Sequence, residues 1–323
     1  MNFPDRAAVR PVTRVAQVLV LVTSCAGVAE GLQAQSPDAA ARPLPVERPE
    51  LRSETLRPGF HLVADVGANV LVWSGPEGTV LVDTGHAHSS QELLDLVARL
   101  GPGPLRFVIN THGHADHTGG NAAATAKGAV VIGHETLLEH AGRDAAVPQG
   151  TGEGGAMPAG SRPVLTLVDN LALHLNGDRV DVLHVADAHT SADLVVRWAR
   201  ADVVALGDVY WSRQYPSIDL ESGGSLAGMV AAVEGTLART NARSLIVPGH
   251  GAPTTRAELA AWRDMLVAVG RKVREGIERG ETLQGILDSR PTADFDARYG
   301  QAGAMVSAED FVRTVYTDLT RRR

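Results

Sequence analysis

The sequence predicts a mixed α/β or α+β fold. Short runs rich in β-branched residues alternate with segments of helical spacing, and Gly-rich turns separate them. One pattern also occurs twice: Val80-Leu81-Val82-Asp83-Thr84-Gly85 and Val203-Val204-Ala205-Leu206-Gly207-Asp208 are both apolar strands that end in Asp and Gly. The echo suggests two β-rich halves packed face to face with helices outside, a four-layer arrangement. Periodicity alone does not order the layers.

Taken in order, residues 61–66, 69–73 and 79–83 read as strands between turns. Residues 89–100 place Leu93, Leu94, Val97 and Leu100 on one helical face. Residues 106–110 and 129–132 read as strands, and 120–127 and 136–141 as helices. Five further strand-like runs follow, at 164–168, 171–175, 179–185, 194–198 and 203–206. Residues 225–237 form a helix with Ser225 as its N-cap after Gly223-Gly224, because a hydroxyl there can accept an unpaired N–H of the first turn. A strand at 244–247 precedes a long amphipathic helix at 258–279. A last helix at 308–319 aligns Phe311, Val315 and Leu319. The segment 143–162 is glycine-rich and poor in apolar residues, a long loop that serves either as a functional lid or as a plain connection.

The N-terminus reads as an export signal. Arg6, Arg10 and Arg14 precede a short apolar run at 15–22, broken by Gln17. That run is well short of the ~20 residues a membrane-spanning helix needs, and a basic segment followed by a short apolar one and small residues matches a secretory signal. Cleavage after Ala34 would leave a mature chain without cysteine. Cleavage before Cys25, in the lipobox-like Val22-Thr23-Ser24-Cys25, would make Cys25 a lipid anchor; an uncleaved helix is the third alternative. The expected location is periplasmic or secreted, with membrane contact only through lipidated Cys25. The expected organisation is a signal peptide at 1–34, a Pro/Ala-rich linker at 35–55, a catalytic domain at 56–255 and a C-terminal helical extension at 256–323.

Of 323 residues, 44% are hydrophobic and 21% charged, the balance of a folded chain. A net charge of −7 with 4% aromatics argues against nucleic acid as a partner, which would call for a basic face and stacking rings. A single cysteine excludes an intramolecular disulfide and a Cys-rich metal site. Oligomeric state is not legible.

The twelve histidines carry the chemistry. Thr111-His112-Gly113-His114-Ala115-Asp116-His117 follows a strand and precedes a helix. In an extended segment His112 and His114 point the same way and reach one metal ion; Asp116 continues the alternation while His117 points elsewhere. The turn then offers two nitrogens to one ion, and an oxygen and a nitrogen to a second. A polar loop with chance histidines would not concentrate four such side chains in six residues.

In these residues the chain resembles the metallo-β-lactamase-fold hydrolase superfamily, from about residue 60 to 255, including glyoxalase-II-like and class B β-lactamase-like relatives. The metal loop 112–117, Ala188-His189-Thr190-Ser191-Ala192-Asp193, Gly207-Asp208, Pro248-Gly249-His250-Gly251 and the buttressing strand Val80–Gly85 each match a family segment. The resemblance implies an αββα sandwich with a C-terminal helical extension. It implies one metal on His112, His114 and His189, a second on Asp116, His117 and His250, and Asp208 bridging both. Two departures stand out. Ala192 occupies a common glycine position. Asp208 stands where one group of β-lactamases has a cysteine ligand, which excludes that group's metal site but not lactam hydrolysis.

Other polar residues have plainer readings. His86 and His88 form a second His-x-His that reads as a polar loop at the rim of the site. Asp83 reads as the partner that orients a ligand histidine. Arg213, Tyr215 and Asp219 either line the substrate mouth or hold their own loop in shape.

The mechanism implied is hydrolysis. Two divalent ions sharing a water lower its pKa to roughly 7, and the resulting hydroxide attacks a carbonyl carbon or, less often, phosphorus. Asp116 would orient it and pass its proton to the leaving group. Two zinc ions suit a histidine-rich site, and the bridging Asp208 leaves iron or manganese open. The expected activity is cleavage of an ester, thioester, lactone or lactam in a small-molecule substrate. A class B-like β-lactamase is the sharp alternative. A mononuclear-iron oxidoreductase or redox accessory protein of the same fold is the alternative of another class.

Overall fold

The computed structural model describes residues 51–141, 157, 159–301 and 303–321. The expected signal peptide, Cys25, most of the linker and most of the 143–162 loop lie outside the described residues. Among the described residues, thirteen strands form two sheets. The first holds β1 (Ser53–Arg57), β2 (Phe60–Val63), β3 (Val70–Gly75), β4 (Gly78–Val82), β5 (Leu105–Ile109), β6 (Val130–His134) and β7 (Leu165–Leu167) in chain order. It is antiparallel from β1 to β4 and parallel from β4 to β7. The second holds β8 (Asn170–Leu175), β9 (Asp178–His184), β10 (Leu194–Trp198), β11 (Val203–Ala205), β12 (Leu245–Val247) and β13 (Thr254–Thr255). It is antiparallel except for the parallel pair β11–β12.

The central strands are apolar on both faces because both faces are covered. Leu71, Trp73, Val80, Val82 and Ile109 point between the sheets, where they meet Val180, Leu194, Val196 and Trp198. Phe60 and Trp73 both pack on the Trp198 ring, edge to face, with centroids 5.3 and 5.8 Å away. The alternate residues Val70, Val72, Leu81 and Val108 face outward against α1 (Ser90–Val97) and α3 (Asn121–Ala126). A short α2 (Ala115–Thr118) precedes α3, and α4 (Thr136–Ala141) follows β6.

On the far side Val195, Val204 and Ile246 face α5 (Leu226–Leu237) and the long α6 (Arg256–Glu278). The expected αββα order is therefore present, with three cores between four layers. Ser225 Oγ accepts from Gly228 N, the N-cap read from the sequence.

Residues beyond 255 continue the outer core. Buried Leu259, Trp262, Met265, Leu266, Val269 and Val273 form one stripe of α6. After α7 (Leu283–Asp288) and α8 (Asp296–Tyr299), α9 (Ala308–Arg321) adds Phe311, Val312 and Val315 to the same cluster as Val204 and Leu226. The expected boundary at 255/256 thus marks a change of element type within one shared core.

Three local expectations need correction. β1 starts at Ser53, inside the stretch read as linker, because it pairs with β2 rather than from any apolar pattern of its own. The strand expected at 61–66 stops at Val63, and Asp65 has φ 63°, which ends extended pairing. Asp116 does not continue the alternation from His112, since it sits with His117 on the helical turn α2.

Candidate metal centre

The site forms where strands from both sheets end. β4 runs into Asp83 and β5 into Asn110–His112, while the β9–β10 connection carries His189. β11 runs into Asp208 and β12 into His250. Backbone bonds stitch the two sheets together here: Leu194 N donates to Thr111 O at 2.7 Å and Asn69 N to Gly249 O at 2.8 Å. Gly207 turns the chain at φ +49°, and a Cβ there would lie 2.5 Å from Thr111 Oγ1, so the close approach of Asp208 to the metal loop requires glycine.

Seven side chains converge in two groups. His112, His114, His189 and Asp208 form one, and Asp116, His117 and His250 the other; within each, one donor atom per residue lies within 4.8 Å of the others. Asp208 faces both groups with different oxygens. Its Oδ2 lies 3.9 Å from His112 Nε2 and 3.6 Å from His189 Nε2, and its Oδ1 lies 3.3 and 3.4 Å from Nε2 of His117 and His250. Asp116 Oδ2 lies 3.5 and 3.4 Å from the same two nitrogens. The sets inferred from the sequence are thus assembled, although a helical turn rather than an extended segment separates Asp116 and His117 from the first pair.

Hydrogen bonds on the far edge of the rings fix which nitrogen faces inward. Asp83, buried, accepts from Thr111 N, Thr111 Oγ1 and His117 Nδ1, all at 2.8 Å. Thr111 Oγ1, its proton given to Asp83, accepts from His112 Nδ1 at 3.1 Å. His189 Nδ1 donates to Ser217 O at 2.9 Å. His114 is turned the other way: Nε2 donates to Asp219 Oδ2 at 3.0 Å, and Nδ1 faces His189 Nε2 at 3.2 Å.

The donor set fits divalent cations. Nε2 of His112, Nε2 of His117 and Oδ1 of Asp208 are buried with no hydrogen-bond partner among the described residues. Leaving a buried carboxylate without a partner costs several kcal/mol. Two ligands about 2.0–2.1 Å from one tetrahedral ion lie ~3.4 Å apart, close to the spacings found here. The titration of the bare side chains shows the same demand for positive charge. Burial pushes Asp208 upward, but His250 and His117 outweigh it and hold the carboxylate well below its ordinary range. Burial likewise raises Asp116, and His117 with His250 brings it down to about 2. Burial lowers His250, yet Asp208 and Asp116 lift it to about 9. His189 falls to about 4, chiefly through burial.

The remaining sequence expectations are met unevenly. Ala192 is buried and lies outside the positive-φ residues, so the glycine position accepts alanine here. Asp193 shapes the His189 loop by accepting from Thr190 N and Thr190 Oγ1. His86 and His88 stack on each other, with His86 beside Gly67 near the Cβ of Asp116. Tyr215 is a correction: it is fully buried, its hydroxyl donates to Asp296 Oδ1 at 2.9 Å, and its ring stacks on Phe311, so it holds the loop and does not face substrate. Arg213 is exposed, with φ 58°. Asp219, read as lining the mouth or holding its own loop, holds the loop through Glu221 N and Ser222 N and also receives the His114 proton. Its only sequence signal was its place in a polar loop after Asp208.

Comparison with known proteins agrees with this geometry. The profile of the Metallo-beta-lactamase superfamily matches residues 63–250, which include all seven donors. A hydroxyacylglutathione hydrolase of Anaeromyxobacter dehalogenans (strain 2CP-C) is 31% identical over 240 residues, 71% of this chain and 82% of the relative. A metallo-beta-lactamase type 2 of Bacillus sp. (strain 170) is 26% identical over 202 residues, 62% of this chain and 73% of the relative. Among solved structures, the sec-alkylsulfatase Pisa1 from Pseudomonas sp. superposes with TM-score 0.61 at 18% identity over 83% of this chain, which spans half of that protein. At that identity the match speaks for the fold alone.

Proposed function

The chain belongs to the metallo-β-lactamase superfamily as a metallo-hydrolase, and from that footing we propose that it is an exported two-zinc enzyme that hydrolyses acyl thioesters. The observation that carries the two-metal reading is Asp208, whose two buried oxygens each face a separate group of histidines. The hydroxyacylglutathione hydrolase relative, and the aspartate at the bridging position, favour a thioester among the carbonyl substrates considered.

When bound, the zinc ions supply a Lewis acid for the scissile carbonyl and lower the pKa of water. The chain's own residues do the rest. Asp208 and the buried histidines fix the donors on elements from both sheets, so little reorganisation is needed during reaction. Asp116 is the donor carboxylate with an edge on solvent, 23% exposed against 3% for Asp208. It is placed to orient the attacking water and to move its proton to the leaving thiolate. Thr111 and Asp83 keep the His112 and His117 protons on Nδ1, away from the reacting centre.

A second reading, β-lactam hydrolysis, is favoured by the Bacillus β-lactamase relative. The zinc-loaded chain lacking residues 1–34 should be assayed against an S-acyl glutathione thioester and a chromogenic cephalosporin. Thioester turnover that Asp116→Asn abolishes supports the first reading. Cephalosporin turnover alone supports the second, and neither would refute both.

A further inference from the structure

We infer that Asp219 is the positioning residue of His114 in the first donor group, and that the C-terminal helices hold the loop that carries it. The inference rests on the metal-binding reading above, and it concerns how one of the two sites is built.

The segment 217–225 touches two of the three first-group histidines. Ser217 O accepts from His189 Nδ1, and Asp219 Oδ2 accepts from His114 Nε2. Backbone bonds zip the segment to the His189 loop. Asp219 N donates to His189 O, Ser191 N to Ser222 O and Ser225 N to Ala188 O, each at 2.9 Å. The contact is so close that a Cβ on Gly224 would lie 2.1 Å from His189 O.

The carboxylate of Asp219 is fully engaged. Oδ1 accepts from Glu221 N and Ser222 N, both at 3.0 Å, while Oδ2 takes the imidazole proton. It therefore acts through His114 and is neither a ligand nor a substrate contact. His114 differs from its neighbours, because His112, His117 and His189 all offer Nε2 inward. Only His114 must offer Nδ1, so its proton has to sit on Nε2, where Asp219 receives it.

The other side of the segment is anchored in the C-terminal region. Trp262 Nε1 donates to Gln214 O at 2.9 Å, and Tyr215 OH to Asp296 Oδ1 at 2.9 Å. Asp318, buried on α9, accepts from Leu226 N at 3.0 Å, at the first residue of α5. The second group is braced by Asp83 at the end of β4, which receives the His117 proton, while Thr111, held by the same carboxylate, carries His112 of the first group. Of the first group, His114 and His189 are held from the loop tied to the C-terminal helices, and His112 shares its support with the second group.

Asp219→Asn tests this. The variant keeps the side chain's shape and an acceptor for Glu221 N and Ser222 N, but turns a donor toward His114 Nε2. Zinc binding would be measured by competition with a chromophoric chelator, with circular dichroism as a check on folding. The expected result is that one zinc equivalent weakens by about 10- to 100-fold, the scale of losing a ligand's orienting partner, while the other stays as in the wild type. Asp318→Ala should weaken the same equivalent by a smaller factor.

Unchanged binding of both equivalents in a folded Asp219→Asn protein, or equal weakening of both, would overturn the inference. A metal-free readout separates it from the reading beneath it. In histidine-labelled protein without metal, long-range 1H–15N spectra should show His114 as the Nε2–H tautomer, and Asp219→Asn should remove that signature. A wild type that binds no zinc would end the metal reading. A wild-type His114 protonated on Nδ1 would end this one.

Discussion

Replacing Asp83 by Asn disturbs the His117 proton at the second donor group directly and, through Thr111, the His112 proton of the first group indirectly. Asp83 has φ 63°, a conformation that Asn tolerates better than most residues, so backbone strain is nearly unchanged. The amide oxygen can still accept from Thr111 N, now at 2.8 Å. The amide NH2, however, faces His117 Nδ1, which at 2.8 Å donates in the wild type. Two donors then oppose each other at a site 1% exposed. The ring answers by moving its proton to Nε2, the atom that faces Asp208 Oδ1 at 3.3 Å, and so loses its inward lone pair. A lost hydrogen bond to a charged group is worth about 1.5–3 kcal/mol. At 1.4 kcal/mol per decade that is about one to two decades in affinity, which agrees with the usual cost of removing a ligand's orienting partner. The assay is zinc competition followed equivalent by equivalent. Asp83→Asn should loosen chiefly the equivalent that Asp219→Asn leaves intact, and the other by a smaller factor through Thr111 and His112. Wild-type affinity at both equivalents, or loosening chiefly of the equivalent that Asp219→Asn loosens, would refute the reasoning.

Three further outcomes are expected. Asp116→Asn should keep the circular dichroism of the wild type and lose at least ~100-fold in kcat/KM, the scale of a lost catalytic interaction; near-full turnover would remove Asp116 from the chemistry. Tyr215→Phe should cost about 1 kcal/mol of stability, the worth of one hydrogen bond, and leave KM unchanged because the ring is buried on Phe311; a raised KM would return Tyr215 to the substrate mouth. Phe311→Ala should cost about 3–5 kcal/mol in a denaturant melt, since Phe311 is 0% exposed in the core that α6 and α9 share with the second sheet; a loss under 1 kcal/mol would make the C-terminal helices a dispensable cover.

What the sequence revealed and what it hid follow a physical division. Central strands such as 69–73 and 194–198 were legible because burial on both faces demands nearly continuous apolar runs, broken here only at Asn69 and Arg197. The donor set was legible because its seven side chains sit in short motifs at strand ends. β1 was hidden because its pattern is half exposed and it exists through pairing with β2. The α2 turn was hidden because its apolar content is negligible, and it is held instead by Thr84 N on His117 O and by Asn110 Nδ2 on the same oxygen. Asp219 and Tyr215 looked alike in sequence, two polar residues of one loop. Their roles separate only when partners 105 and 81 residues away, His114 and Asp296, are brought to them.

The central claim is a hydrolase that uses two metal ions held across Asp208. The direct measurement is thioester turnover by metal-free protein titrated with zinc, with bound metal counted by native mass spectrometry at each point. The account predicts that activity reaches its plateau at two equivalents per chain, and that Asp208→Ala, while folded, neither holds the second ion nor turns over at more than about one hundredth of the wild-type rate. Full activity at one equivalent, or undiminished turnover by Asp208→Ala, would contradict it.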